Sequence, residues 1–238
     1  MTQAPSRSNT SAEDATAFRS SVAALRRKLG LQGWWPRLIR IGKSFEVRHH
    51  PGDVSRWLSR TEADCAFEVA VGAILTQNTA WMNVETALVR LADGKLLTST
   101  AFRSARASAI ASRIRSAGYF RQKAKKLKAL AAFVEDTCGG DMTRLKRDRS
   151  ARDRLLGVHG IGPETADTIL LYGLGVRSFV VDMYTRRFLV DVTGSARWLS
   201  MPYDDIRHFC EASLPKSFRG WQEAHALIVA WGKRPRSR

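Results

Sequence analysis

The stretch Leu155-Leu156-Gly157-Val158-His159-Gly160-Ile161-Gly162-Pro163-Glu164-Thr165-Ala166-Asp167 decides how this chain is read. Two glycines two apart, Gly160 and Gly162, stand between an apolar turn and a helix start. Glycine lets the backbone turn tightly and come close to a ligand. The helix that follows begins with N–H groups that have no partner inside it, which makes an anion site suited to a phosphate. Further on, the apolar run Phe179-Val180-Val181 delivers a single carboxylate, Asp182, to a second helix start at Met183-Tyr184-Thr185-Arg186-Arg187. A phosphate grip followed by a positioned carboxylate is the pattern of an enzyme that acts on the nucleic-acid backbone or its glycosidic bonds.

Charge points the same way. The 238 residues carry 39 Lys and Arg against 22 Asp and Glu, a formal +17. Such an excess favours polyanions and makes binding steeply salt-dependent. Its distribution is informative, because fifteen basic residues against five acidic lie between Phe102 and Arg154, just ahead of the glycine hairpin. The length suffices for a full core, in one large domain or two small lobes.

Helical periodicity dominates. Ala124, Leu127, Leu130, Ala131 and Val134 recur at helix spacing, with Lys123, Lys125, Lys126 and Lys128 around them. Thr168-Ile169-Leu170-Leu171-Tyr172 continues the helix opened at the hairpin, and Ile206–Ala212 and Trp221–Trp231 read as two more. No long alternating stretch argues for a sheet. The first sixteen residues are polar and lack the apolar core of an export signal. The longest apolar run, Val69–Leu75, is too short to span a bilayer. A cytoplasmic protein is expected, nucleoid-associated in a bacterium. Cys65, Cys138 and Cys210 lie too far apart for a disulfide framework or a metal motif and read as small buried side chains. His49 and His50 have no partner at ligand or catalytic spacing and read as surface residues.

The hairpin and the following Asp resemble the helix–hairpin–helix (HhH-GPD) DNA glycosylase superfamily, and within it the endonuclease III-like proteins. Phe67-Glu68-Val69-Ala70-Val71-Gly72-Ala73-Ile74-Leu75-Thr76-Gln77-Asn78-Thr79 is similar to the family's early helix and the Gln-bearing loop after it. Ala117-Gly118-Tyr119-Phe120-Arg121-Gln122-Lys123-Ala124 is similar to a family segment that runs from a glycine–aromatic pair to Lys-Ala. His225-Ala226-Leu227-Ile228-Val229 resembles the helix that precedes the family's usual iron–sulfur cluster. The matches are collinear and cover roughly residues 30 to 233.

The resemblance implies an all-α, two-lobed fold. The boundaries expected are a disordered tail over 1–20, a glycosylase domain over 21–233 and a basic tail over 234–238. Within the domain, 63–176 forms one lobe, 21–62 with 177–233 forms the other, and the base pocket lies between them. It implies Asp182 as the catalytic carboxylate, which stabilises an oxocarbenium-like state or orients a water. Val158, Gly160, Ile161, Gly162 and Thr165 of the hairpin, with Lys123, are expected to grip DNA. Gln77 and Asn78 are expected to push into the gap left by the extruded nucleotide, where amides can bond to the orphaned base.

Two departures narrow the expectation. Glu164 stands where bifunctional members carry a Lys that forms a Schiff base, so strand cleavage is not expected. Glu164 is left as a candidate accessory group in water activation or as a partner of the helix dipole. No Cys follows Cys210, where family members carry four, so no iron–sulfur cluster, no metal and no other cofactor is expected. These losses, with Ile74–Trp81 and Gly33-Trp34-Trp35-Pro36, resemble the 3-methyladenine DNA glycosylase branch. Trp34 and Trp35 suit it, because an electron-poor alkylated purine stacks well on an indole face. The expected function is monofunctional excision of alkylated purines from damaged double-stranded DNA by a monomer, in base excision repair. The alternatives are a glycosylase for oxidised or mismatched pyrimidines and a non-catalytic DNA-binding paralogue, the latter disfavoured by Asp182.

Overall fold

The structure is a computed structural model and describes residues 12–49 and 61–234. Of the tails expected from the sequence, residues 1–11 and 235–238 lie outside the described residues, as does His50. The fold is mostly helical, and the chain divides into two units. One is continuous, residues 33–178; the other is made of two pieces, 1–32 and 179–238.

Helix α1 (Ala12–Leu29) opens the two-piece unit. It begins inside the stretch read as a disordered tail, because Phe18 and Leu25 are core residues rather than solvated ones. Phe18 is fully buried, with Phe179, Phe188 and Phe209 at ring distances of 6.5, 6.0 and 5.8 Å. Edge-to-face arrangements of this kind stabilise beyond the area they bury.

The continuous unit starts with a hairpin, β1 (Arg37–Ile41) and β2 (Ser44–Arg48), paired antiparallel around Gly42-Lys43. The sequence reading put this segment in the other lobe and expected no sheet; the structure moves it and gives it two strands. Two bonds explain why it stays. Buried Glu68 accepts from the Leu38 N–H at 3.0 Å, and Arg37 donates to the carbonyls of Cys65 and Tyr172. Leaving either buried acceptor unpaired costs about 1–3 kcal/mol.

Helix α2 (Glu62–Leu75) is the centre of this unit. Thr61 caps its N-terminus by accepting from Asp64 N–H, and every residue from Cys65 to Leu75 is buried. That all-round burial explains why the run Val69–Leu75 shows no amphipathic stripe. Around it follow α3 (Trp81–Asp93), α4 (Ser99–Ser104), α5 (Ala107–Arg113), α6 (Phe120–Cys138), α7 (Ala151–Leu156) and α8 (Pro163–Thr168). A π-helical turn, Ile169–Gly173, extends α8. Arg152 of α7 clasps the fully buried Asp167 of α8 through two bonds, 2.8 and 3.1 Å, so the two helices of the glycine hairpin are fixed to each other.

The chain then returns to the two-piece unit through α9 (Met183–Thr193), α10 (Tyr203–Ser213) and α11 (Phe218–Gly232). No helix among the described residues is long and apolar enough to cross a membrane.

Candidate functional site

The glycine hairpin forms as its sequence dictates. Ile161 N–H bonds to the Val158 carbonyl at 3.0 Å and closes the turn. Gly160 sits at φ +87°, a left-handed conformation that strains any residue with a Cβ. A Cβ there would also lie 2.3 Å from Cγ of Lys126. Gly162 differs: it is extended, and a Cβ on it would meet nothing within 4 Å. It is the N-cap of α8 and contributes no side-chain cap, while Pro163 occupies the first turn. Val158 and Ile161 are buried, so these two act as core anchors and only their backbone can face a ligand. Glu164 is exposed in the first turn of α8.

Gln77 and Thr165 are drawn together. Gln77 Nε2 donates to the Gly160 carbonyl and to Thr165 Oγ1, both at 3.0 Å, and Lys126 Nζ donates to Gln77 Oε1 at 2.6 Å. The Thr165 hydroxyl is therefore committed to Gln77 rather than presented outward. Asn78 is exposed and left-handed, φ +52°.

Lys123 corrects the sequence reading. It is 2 % exposed, and its ammonium donates to Leu75 O, Thr79 Oγ1 and Ala117 O at 2.8, 2.6 and 2.8 Å. Its three hydrogens are used inside the protein, so it braces the loop after α2 against the turn before α6 instead of gripping phosphate. Burial, helped by neighbouring Lys126, pulls its pKa down to about 8, which leaves it protonated at neutral pH. Helix spacing carried the signal: Lys123 shares a face with buried Leu127 and Leu130.

Near the hairpin's unit start lie the tryptophans. Trp35 is buried and packs on α2 at Gly72, where a Cβ would come within 3.1 Å of the indole; it also meets Tyr172 at 5.5 Å. Trp34 is half-buried. Trp81, at the start of α3, joins both: its ring lies 5.0 Å from Trp34 and 5.2 Å from Trp35, near edge-on to each. Trp81 Nε1 is held by Glu85. The exposed His49 lies 5.3 Å from Trp34. Sequence reasoning named Trp34 and Trp35 but did not see that Trp81 completes the cluster.

In the two-piece unit, buried Val180 and Val181 lead into Asp182, the N-cap of α9. The approach is pinned at two backbone amides, Phe179 N–H to Glu211 and Val181 N–H to the Tyr203 hydroxyl. Asp182 Oδ1 accepts from Thr185 N–H at 2.7 Å, and Oδ2 faces His225 Nε2 of α11 at 3.5 Å. Burial pushes the Asp182 carboxyl up, but the bond and charge of His225 and the Thr185 bonds outweigh it and leave the pKa below the ordinary carboxylate value. Lys233, two turns beyond His225, is held below the ordinary lysine range by partial burial, with the Asp182 charge opposing. His225 and Lys233 thus flank one carboxylate from a single helix. Neither was named as a site residue from the sequence, since no spacing rule links position 182 to 225. At Gly232 a Cβ would lie 2.1 Å from Tyr184 Cδ1, so α9 and α11 come into backbone-to-ring contact beside this pair.

The three cysteines are free and buried, Cys65 and Cys138 in one unit and Cys210 in the other. A four-iron cluster takes four thiolates, and these residues do not supply them. Among the described residues no group of three or more His, Cys, Asp or Glu side chains is placed to hold a metal ion.

Comparison with known proteins agrees with this geometry. The HhH-GPD superfamily base excision DNA repair protein family matches residues 71–216. A protein of Methanocaldococcus jannaschii named as a DNA repair glycosylase is 40 % identical over 173 residues, covering 70 % of this chain and 76 % of its own. Endonuclease III of Sulfolobus acidocaldarius is 28 % identical over 172 residues, 71 % of this chain and 73 % of its own. Among solved structures, the H. pylori 3-methyladenine DNA glycosylase bound to 1,N6-ethenoadenine shares the fold with a TM-score of 0.66 at 23 % identity. The match covers 93 % of this chain and 97 % of that one. A trapped endonuclease III–DNA covalent intermediate also gives 0.66 at 18 % identity, over 91 % and 85 %. A capped carboxylate after a glycine hairpin, on this fold and with these relatives, places the chain in the HhH-GPD superfamily of base excision DNA repair proteins, as a DNA glycosylase.

Proposed function

We propose that this DNA glycosylase hydrolyses the N-glycosidic bond of alkylated purines, 3-methyladenine first, and leaves the abasic strand uncut. The observation that carries the reading is the indole cluster Trp34, Trp35 and Trp81. An N-alkylated purine is electron-poor and cationic, and the face of an indole is the strongest aromatic partner for such a ring. Trp34, the half-exposed indole of the original pair, is the base-contacting member, whereas Trp35 belongs to the core against Gly72 and Tyr172.

Alkylation also weakens the glycosidic bond, so little acid assistance is needed. Asp182, kept ionised by its partners, supplies negative charge to the developing oxocarbenium ion or orients the attacking water. The target base is extruded from duplex DNA before it reacts. The hairpin, with the uncapped start of α8, holds the phosphate backbone. Glu164 offers no amine for a Schiff base, so the reaction ends at base release. The enzyme acts as a monomer and without an iron–sulfur cluster.

A panel of lesion-bearing duplexes tests this. Base release is expected from 3-methyladenine, with no borohydride-trapped complex and intact strands until alkali is added. Trp34→Ala should lower excision about five- to hundred-fold, since a stacked base is worth roughly 1–3 kcal/mol. It should barely change thermal melting. Trp35→Ala should instead lower the melting temperature, as truncation of a buried Trp costs roughly 3–5 kcal/mol. Release of thymine glycol with no release of methylated purine would overturn the reading in favour of oxidised pyrimidines.

A further inference from the structure

We infer that Gln77 is a strut between the loop after α2 and the glycine hairpin, and that Asn78 is the amide of that loop that meets DNA. The inference rests on the base-extruding function proposed above. It revises the expectation that Gln77 and Asn78 both enter the gap left by the extruded nucleotide.

Both hydrogens of the Gln77 amide are used, one on the Gly160 carbonyl and one on Thr165 Oγ1. Its oxygen accepts from Lys126 Nζ. Insertion into DNA would break all three bonds and leave a lysine, a carbonyl and a hydroxyl to find new partners. The stem of Lys126 closes over Gly160, where only a glycine fits, so the strut joins the loop to the hairpin at its tightest point. A second brace acts on the other side of the same loop, where Lys123 holds Leu75 O and Thr79 Oγ1.

Asn78 stands between these braces and differs in both respects. It is exposed, and its backbone is left-handed, a conformation that Asn tolerates better than most residues. Thr76 and Thr79 on either side are tied to Ala73 O and Ala117 O. A rigid loop that offers one exposed amide fixes the distance between the gap-filling group and the phosphate grip.

The test compares Gln77→Ala, Gln77→Glu and Asn78→Ala. Each is measured by thermal melting, by affinity for an undamaged duplex and for the same duplex with a tetrahydrofuran abasic analogue, and by hydrogen exchange at the amides of residues 160–165. Asn78→Ala should cut the preference for the abasic duplex by about ten-fold, the worth of one or two lost hydrogen bonds, without speeding exchange. Gln77→Ala should speed hairpin exchange by about ten-fold and weaken both duplexes by a similar factor, so that the preference persists. Gln77→Glu, which keeps the Lys126 contact but cannot donate, should behave as Gln77→Ala does. Loss of abasic preference in Gln77→Ala with unchanged exchange, or full preference in Asn78→Ala, would overturn the inference. Should the wild type show no abasic preference and release no base, the proposed function falls and Asn78's role with it, while hairpin exchange still decides the strut.

Discussion

Helices α8 and α9 begin on nearly the same backbone and with opposite chemistry. Gly162 caps α8 at φ −95°, ψ −179°, and Asp182 caps α9 at φ −103°, ψ −176°. Both are extended, so neither needs an unusual conformation. At α9 the side chain answers the helix's own N–H groups, with Oδ1 on Thr185. At α8 there is no side chain to do so. One helix start satisfies itself and keeps a carboxylate in place; the other is left for an external anion. The difference teaches that a cap can be spent on folding or on binding, and that the same fold uses both choices.

The sharpest way to break this comparison is Asp182→Asn. Asn caps a helix about as well as Asp, so melting should hold. Single-turnover base release should nevertheless fall by about two orders of magnitude or more, in line with the ~2.7–4 kcal/mol lost with one electrostatic stabiliser. Unchanged release would reduce Asp182 to a cap.

A smaller effect is expected from the mirror experiment, Gly162→Asp. The open space around Gly162 accommodates the side chain. The new carboxylate should cap α8, raising stability by a few tenths of a kcal/mol, yet repel phosphate and weaken duplex binding by about ten-fold. Gly160→Ala is the control, because the left-handed backbone and the Lys126 stem should make it lose about 1–2 kcal/mol in a thermal melt. Equal melting losses at both glycines would erase the distinction drawn between them.

His225→Gln sharpens the comparison through pH. Burial raises the Asp182 pKa and His225 lowers it, with a net shift below the ordinary value. Without the imidazole the carboxyl should bind a proton at higher pH, so the acid limb of the rate–pH profile should move upward. The rate near neutrality should change only a few-fold, because Asp182 remains ionised there. A profile that keeps its acid limb would show that Thr185 alone sets the charge.

Much of this was legible in the chain. The hairpin glycines, the helix start at Asp182 and the helical core all follow from local rules of turns, caps and period. The strands β1 and β2 were missed because five residues each is too short for alternation to stand out, although Gly42-Lys43 between apolar runs is a hairpin signal. Lys123 was misread because three more lysines follow it closely, and a charge cluster suggests solvent. The pairs Asp182–His225, Gln77–Gly160 and Trp34–Trp81 are tertiary. Each joins residues at separations that no period encodes, and only packing brings them together.

The division of the chain has a consequence for synthesis. The unit that holds Asp182 is assembled from the two ends of the sequence, whereas the hairpin's unit is uninterrupted. On a ribosome, residues 33–178 can complete their core as soon as they emerge. Helix α1, made earlier, must wait for Phe179, Phe188 and Phe209 before Phe18 finds its partners, and for Glu223 before the Gln32 N–H finds its acceptor. DNA-gripping competence would therefore arise before catalytic competence, and a chain stalled near residue 178 would leave the apolar face of α1 uncovered, open to chaperones or to aggregation.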